Sequence, residues 1–380
     1  MRALAVALLL TSTACGLQSA KPPAGLVCDS FTVIGEGLSE ALTAARPNEC
    51  VILLSGTYAG AFELPSDVSL AAANGAMVML TGDGSGKPVL TVRGGLRSTV
   101  RGLKIDSSRG DGVAIDPGPV NLIGVTVQGD TSRSALTSTC TKGTCEQVTL
   151  EDTELVKCST GLLVAGGVVR MVRGRVAEMG GSGLSDGSGV VASRGARVTL
   201  ESVTVEGNKQ AGVLVDGEAT ALTLDQTHVR ANLERGVWVQ NAPDGGVQIM
   251  GGTISENRLV GLGVRDSSGL TLTSVEISAT QLVEVPVGVG AKENVGDGVG
   301  LFEGARDIVL DLVRTTGNGR AQILADGSGA GVRVNPSEVS GGQFRVVVQR
   351  GATALEVPPA LIDTPGRELA TKSAAVPVSQ

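Results

Sequence analysis

The chain has 380 residues, 55 of them Gly and only six aromatic (four Phe, one Trp, one Tyr), with 42% hydrophobic residues and a formal net charge of −7. That apolar share excludes disorder over the whole length, and 14 Pro without a three-residue Gly period exclude a collagen-like chain. The acidic balance leaves no electrostatic footprint for nucleic acid or an anionic lipid surface, and a single His leaves little for imidazole acid–base chemistry.

At the N-terminus, Arg2 and the apolar run 3–10 read as a signal peptide over residues 1–14, too short for a stable membrane span. The following Thr13-Ala14-Cys15-Gly16 resembles a bacterial lipobox, with Ser12 where that pattern usually has Leu. The resemblance implies acylation of Cys15, a lipidated tether over residues 15–27, membrane contact through acyl chains, and a place in the bacterial cell envelope, anchored to the outer membrane. An exported chain can oxidise its remaining five Cys. Cys28 and Cys50 bracket the first helix-like segment and Cys140 and Cys145 bracket a turn-like tip, so both pairs are expected as disulfides, with Cys158 free and buried. A Cys-based metal site is the alternative, but one four-residue spacing without a nearby His does not match the usual ligand patterns.

Residues 38–45 form an amphipathic stretch, expected as a helix capping the first coil, and residues 51–54 form a strand. From there the chain repeats itself. Asn208, Asn232 and Asn257 each precede three variable residues, a Gly (Gly212, Gly236, Gly261) and an alternating apolar strand. The frame continues at Asn294 and Asn318 and runs back through Ser185, Lys157, Asp130 and Ser108, so one unit is about two dozen residues, the length of one solenoid coil. Each unit holds three short alternating runs and no helix-period run, which describes three parallel strands per coil.

This organisation resembles the pectin-lyase-like superfamily over roughly residues 30–350. It implies an all-β fold, a single right-handed parallel β-helix spanning residues 28–353. The resemblance also implies that Asn208, Asn232, Asn257, Asn294 and Asn318 stack as a ladder, since Asn tolerates left-handed backbone and its amide can bond the next coil. The 37-residue interval from Asn257 to Asn294 contains an insertion within residues 278–293, expected to leave the solenoid as a loop. Residues 354–380 read as a partly disordered tail.

Stacked columns allow a search for chemistry. Gly110-Asp111-Gly112 and Gly296-Asp297-Gly298 resemble the Asp-Gly strand start of polygalacturonases, which implies a catalytic column of carboxylates and His on successive coils. Here that column reads Asp111, Arg133, Thr160, Ser188, Ala211, Arg235, Val260, Asp297 and Ala321, with no adjacent carboxylates and no His. Asp106, Asp111 and Asp116 with Arg109 form the remaining catalytic candidate, and only a lyase acting there would call for Ca²⁺; no other cofactor and no metal site is expected. His228 lacks an aligned partner and reads as a surface residue. Trp238 points opposite to Val237 and Val239, so it is expected to face outward and, with Arg235, to bind a ligand in a groove flanked by the insertion and the 131–147 loop. The functional expectation is an exported, lipid-anchored binding or scaffold module, with polysaccharide or another envelope protein as partner. The competing expectation is a polysaccharide lyase, hydrolase or epimerase acting on an acidic glycan.

Overall fold

A computed structural model of the protein describes residues 22–140, 145–182, 186–243, 246–288, 291–335 and 337–371. The expected signal peptide, Cys15 and the last nine residues lie outside the described residues. The rest is a parallel β-solenoid of three sheets. Sheet A has 14 strands from Ser30–Ile34 to Thr353–Leu355, sheet B has 12 from Gly56–Ala59 to Glu338–Ser340, and sheet C has 13, its coil strands running from Phe62–Leu64 to Phe344–Gln349.

One coil shows how the sequence makes the shape. Arg197–Glu201 lies in sheet A, Thr204–Glu206 in sheet B and Ala211–Asp216 in sheet C, and each pairs in parallel with the strand one coil later: Ala221–Asp225, His228–Arg230 and Arg235–Gln240. Alternation sends Val198, Leu200, Val205, Val213 and Val215 inward, all 2% exposed or less. Each such side chain contributes about 1.5–3 kcal/mol of burial, most of it offset by the entropy of ordering the chain. The corner between sheets A and B is turned by single residues in the left-handed region, such as Ser202 (φ 53°) and Gln226 (φ 48°). At the first coils the helix Leu38–Ala44 buries Leu38 and Leu42 in the same core.

The ladder is real but one rung differs. Asn208 Nδ2 donates to Asn232 Oδ1 at 2.8 Å, and Asn232 Nδ2 donates to Asn257 Oδ1 at 2.8 Å. Asn208, Asn232, Asn257 and Asn318 are all fully buried. Asn294, by contrast, is exposed and pairs with Glu284 in an antiparallel hairpin. Its place is taken by Thr280, whose N–H donates to Asn318 Oδ1 at 3.0 Å. The rung follows the end of each sheet B strand by two residues, as Asn208 follows Glu206, so an insertion after the rung carries Asn294 away from it. The same corner holds Cys158 in an earlier coil. Its Sγ lies 3.3 Å from Ser107 Oγ, and burial pushes the thiol up to about 11, which keeps it protonated at neutral pH.

The insertion departs from its expected form, because it is a hairpin of Val283–Gly288 with Ala291–Leu301 rather than an open loop. It leaves the solenoid at the corner between sheets B and C. Cys140 and Cys145 form a disulfide at the other border of sheet C, between that sheet and sheet A, and Cys28 pairs with Cys50. Residues 356–371 turn back along the outer side of sheet C. Ile362 bridges Val346, Asp363 accepts from the N–H of Arg345 at 2.6 Å and from its Nη2 at 2.6 Å, and Arg367 pairs with Glu293 of the hairpin at 2.7 Å. The Arg345 guanidinium holds the Asp363 carboxyl below its ordinary value of 3.8. A depressed carboxylate contributes stability above its unfolded value and loses it as pH falls through the folded one. The protection of residues 356–371 against hydrogen exchange, measured relative to the intrinsic rate at each pH, is therefore expected to fall on acidification from pH 6 to pH 3 while that of the sheet A strands is kept.

Candidate functional site

The column proposed from the sequence exists: Ala211, Arg235, Val260 and Asp297 are register partners on the outer side of sheet C. Arg235 and Asp297 in this column are sealed rather than presented, whereas Asp111 is half-buried and Arg133 exposed. Asp297 and Arg320 are 1% and 3% exposed and form a two-pronged ion pair, with Arg320 Nε donating to Asp297 Oδ1 at 2.8 Å. Burial pushes the Asp297 carboxyl up and the guanidinium opposes that rise. Asp297 Oδ1 also accepts the Ala321 N–H at 3.2 Å, so both carboxylate oxygens are engaged.

Trp238 does project from the outer side of sheet C, but it is fully buried, which overturns the expected exposed stacking residue. Its ring lies against Gly263 one coil on. A Cβ at Gly263 would stand 2.2 Å from the indole, so only Gly leaves room for it. The Phe302 ring packs at a centroid distance of 5.7 Å, the Arg235 guanidinium sits 4.6 Å over the indole, and Nε1 donates to Gln240 Oε1 at 2.7 Å. Arg235 is itself 4% exposed and pairs with Glu234 at 2.9 Å, and burial pulls its guanidinium below the ordinary value. Around them Leu214, Val191, Leu324 and Val347 complete a second apolar cluster outside the solenoid core. The hairpin and the disulfide loop border sheet C on opposite edges, but the surface between them at Trp238 is closed and is no open groove.

The acidic candidates serve different turns. Asp106 ends a sheet B strand and its Oδ1 accepts the Ser108 N–H at 3.0 Å. Asp111 precedes the sheet C strand Val113–Ile115 and accepts the Ser134 N–H of the next coil at 3.0 Å. Asp116 follows that strand and pairs with Arg93 at 3.1 Å. Arg109 is exposed. His228 is exposed on sheet B with Nδ1 3.0 Å from Thr253 Oγ1. Among the described residues no three His, Cys, Asp or Glu side chains cluster to hold a metal ion.

The outer face of sheet A is a further polar surface, one that carries no recognisable motif. Register places Thr99, Asn121, Thr149, Arg170, Thr199, Thr223, Gln248 and Thr271 in one column over eight successive coils. Thr99 to Thr223 are half-buried, and Gln248 and Thr271 are exposed, so every coil offers solvent a hydrogen-bonding side chain at a pitch of about 4.8 Å. Arg170 is tied to Glu201 of the next coil at 2.7 and 2.6 Å, which leaves the face with little net charge at that point. The signal was present in the sequence as Thr at the centre of successive Val-Thr-Leu and Leu-Thr-Leu runs.

The family model for a right handed beta helix region matches residues 89–277 and 185–346. Among solved structures, the chain is similar to the mannuronan C-5 epimerase AlgE4 A-module of Azotobacter vinelandii, at 14% identity and a TM-score of 0.50 over 88% of this chain and 94% of that one. It is also similar to the AlgE6 A-module of the same organism, at 16% identity and a TM-score of 0.46 over 83% and 84%, and to pectate lyase Pel9A, at 14% identity and a TM-score of 0.33 over 90% and 80%. No curated protein matches the sequence. At these identities the likeness is one of fold.

Proposed function

We propose a function for a chain that belongs to the right-handed β-helix family: an exported, lipid-anchored solenoid that binds a long-chain polysaccharide on the outer face of sheet A and leaves it chemically unchanged. The polar column on that face carries the reading. Hydroxyl and amide groups repeating at one strand spacing can bond successive units of an extended sugar chain in the same register, and many weak bonds on one rigid support add up to useful avidity. Two further features are consistent with it. Asp106, Asp111 and Asp116 are each engaged in a separate turn or ion pair, so they form no acid–base pair across one bond. The two disulfides suit an oxidising compartment, and Cys15 would tether the rod to the outer membrane with its long faces free.

Protein starting at Lys21 should co-sediment with one or more insoluble polysaccharides from a panel that includes mannuronan and pectate gels. Thr199→Glu with Thr223→Glu should abolish retention without changing the far-UV circular dichroism, whereas Thr204→Glu on sheet B should not. Retention that survives the sheet A pair, or a panel without a single ligand, would overturn the proposal. Appearance of guluronate or of an unsaturated uronate would replace it by the epimerase or lyase reading.

A further inference from the structure

The first coils of sheet B carry an apolar hollow on their outer side, with a volume of about 560 Å³. Its lining is mostly Gly56, Ala76, Met77, Val78, Met79 and Gly102, and the one charged side chain in it is Lys104. Strand alternation explains the methionines. In Val78–Thr81, Val78 and Leu80 turn into the core at 3% and 0% exposure, which leaves Met77 and Met79 on the outer side. Met77 is 82% exposed and Met79 is half-buried. Glycines explain the hollow beside them: Gly56 is the register partner of Val78, and Gly102 turns the corner between sheets A and B at φ 67°. Neither offers a side chain to fill the space.

The charge beside the methionines is uncompensated. Register places Thr57, Met79 and Lys104 in one outward row, each one strand spacing from the next. Lys104 is exposed, and among the described residues no carboxylate pairs with it. The arginines of the same coils differ, since Arg93 is held by Glu63 and Asp116 and Arg97 by Asp29. Asp106 shares the strand of Lys104 but is the partner of Thr81, at the end away from Gly102, and its Oδ1 accepts the Ser108 N–H.

We propose that this hollow is a binding site for a long-chain fatty-acid anion, its alkyl chain lying along Ala76, Met77 and Met79 and its carboxylate paired with the Lys104 ammonium. Unbranched thioether side chains adapt to a flexible alkyl chain, whereas a sugar ring would leave hydroxyls unbonded against them. A single cation in an otherwise uncharged lining selects the sign of the head group. The volume lies within the range of about 300–1,000 Å³ usual for small-molecule sites. The inference is independent of the sheet A proposal, because it concerns another face and another ligand.

Equilibrium dialysis of radiolabelled dodecanoate, below its micelle-forming concentration and without detergent, tests it on protein starting at Lys21, which retains every described residue. One site per chain is expected, tightening by up to about fourfold per methylene from octanoate to dodecanoate. Dodecyltrimethylammonium, with the same chain and the opposite charge, should bind about tenfold more weakly or worse, and Lys104→Glu should weaken dodecanoate by a similar factor. Met77→Asp should do so too, and a side chain 82% exposed can be changed without disturbing the core. The Thr199→Glu, Thr223→Glu variant should bind dodecanoate as the parent does. Binding unchanged in Lys104→Glu or Met77→Asp, equal affinity for the two head groups, or no retained dodecanoate would overturn the proposal. So would adsorption to phosphatidylglycerol vesicles without uptake of monomeric dodecanoate, since the hollow would then rest on a membrane surface.

Discussion

Arg320→Met is expected to lower the free energy of unfolding by about 3–5 kcal/mol, because it strands the Asp297 carboxylate in a site that is 1% exposed. Solvent cannot reach either partner, so the loss is that of an uncompensated buried charge rather than of a surface ion pair. The same substitution removes the 2.6 Å anchor to Ala370, and the C-terminal segment should become protease-sensitive before the solenoid does. Asp297→Ala combined with Arg320→Met should recover much of the stability, since neither charge is then buried, but not the anchor. Urea unfolding of the two single variants and the double gives the coupling directly. A coupling energy near zero would mean that the pair is solvated in a way the geometry does not allow.

The second large effect separates two asparagines that look alike in sequence. Asn232→Ala leaves the buried Asn208 N–H and Asn208 Nδ2 without the Oδ1 that accepts both, at 3.1 and 2.8 Å. Each orphaned buried donor costs about 1–3 kcal/mol, so a total loss of about 2–4 kcal/mol is expected. Asn294→Ala sits on an exposed hairpin strand and should stay within about 0.5 kcal/mol of the parent. Equal effects at the two positions would contradict the ladder as described.

Asn294 also shows what the sequence could and could not convey. Counting back from the Gly of a sheet C strand finds the rung correctly at Asn208, Asn232 and Asn257, because the turn there is short and constant. At Asn294 the same count lands on the hairpin, whereas counting forward from the end of the sheet B strand, Ser278, finds Thr280. Repeat length, the parallel strand architecture, the Ala211 to Asp297 column and both disulfides were legible, since stacked coils force chemically similar residues into register. Trp238 was read correctly as pointing away from the core, but alternation within a strand only says which side a residue faces. Its burial depends on Gly263 one coil on, on Phe302 from a later coil and on the chain's return across sheet C at Leu369, contacts between coils that no local pattern encodes. The sheet A column was equally present in the sequence, yet Thr and Gln at half-buried strand positions are so ordinary that only its unbroken register over eight coils distinguishes it.

The claim that the protein binds a glycan without altering it is tested most directly by proton NMR and size-exclusion chromatography of soluble polyuronate and neutral polysaccharides. Each would be incubated with the protein starting at Lys21, with and without added Ca²⁺. The account predicts that monomer composition and chain length stay constant in every sample, while at least one polymer co-elutes with the wild-type protein and none with the Thr199→Glu, Thr223→Glu variant. A new uronate epimer, an unsaturated chain end or a shortened polymer would contradict it.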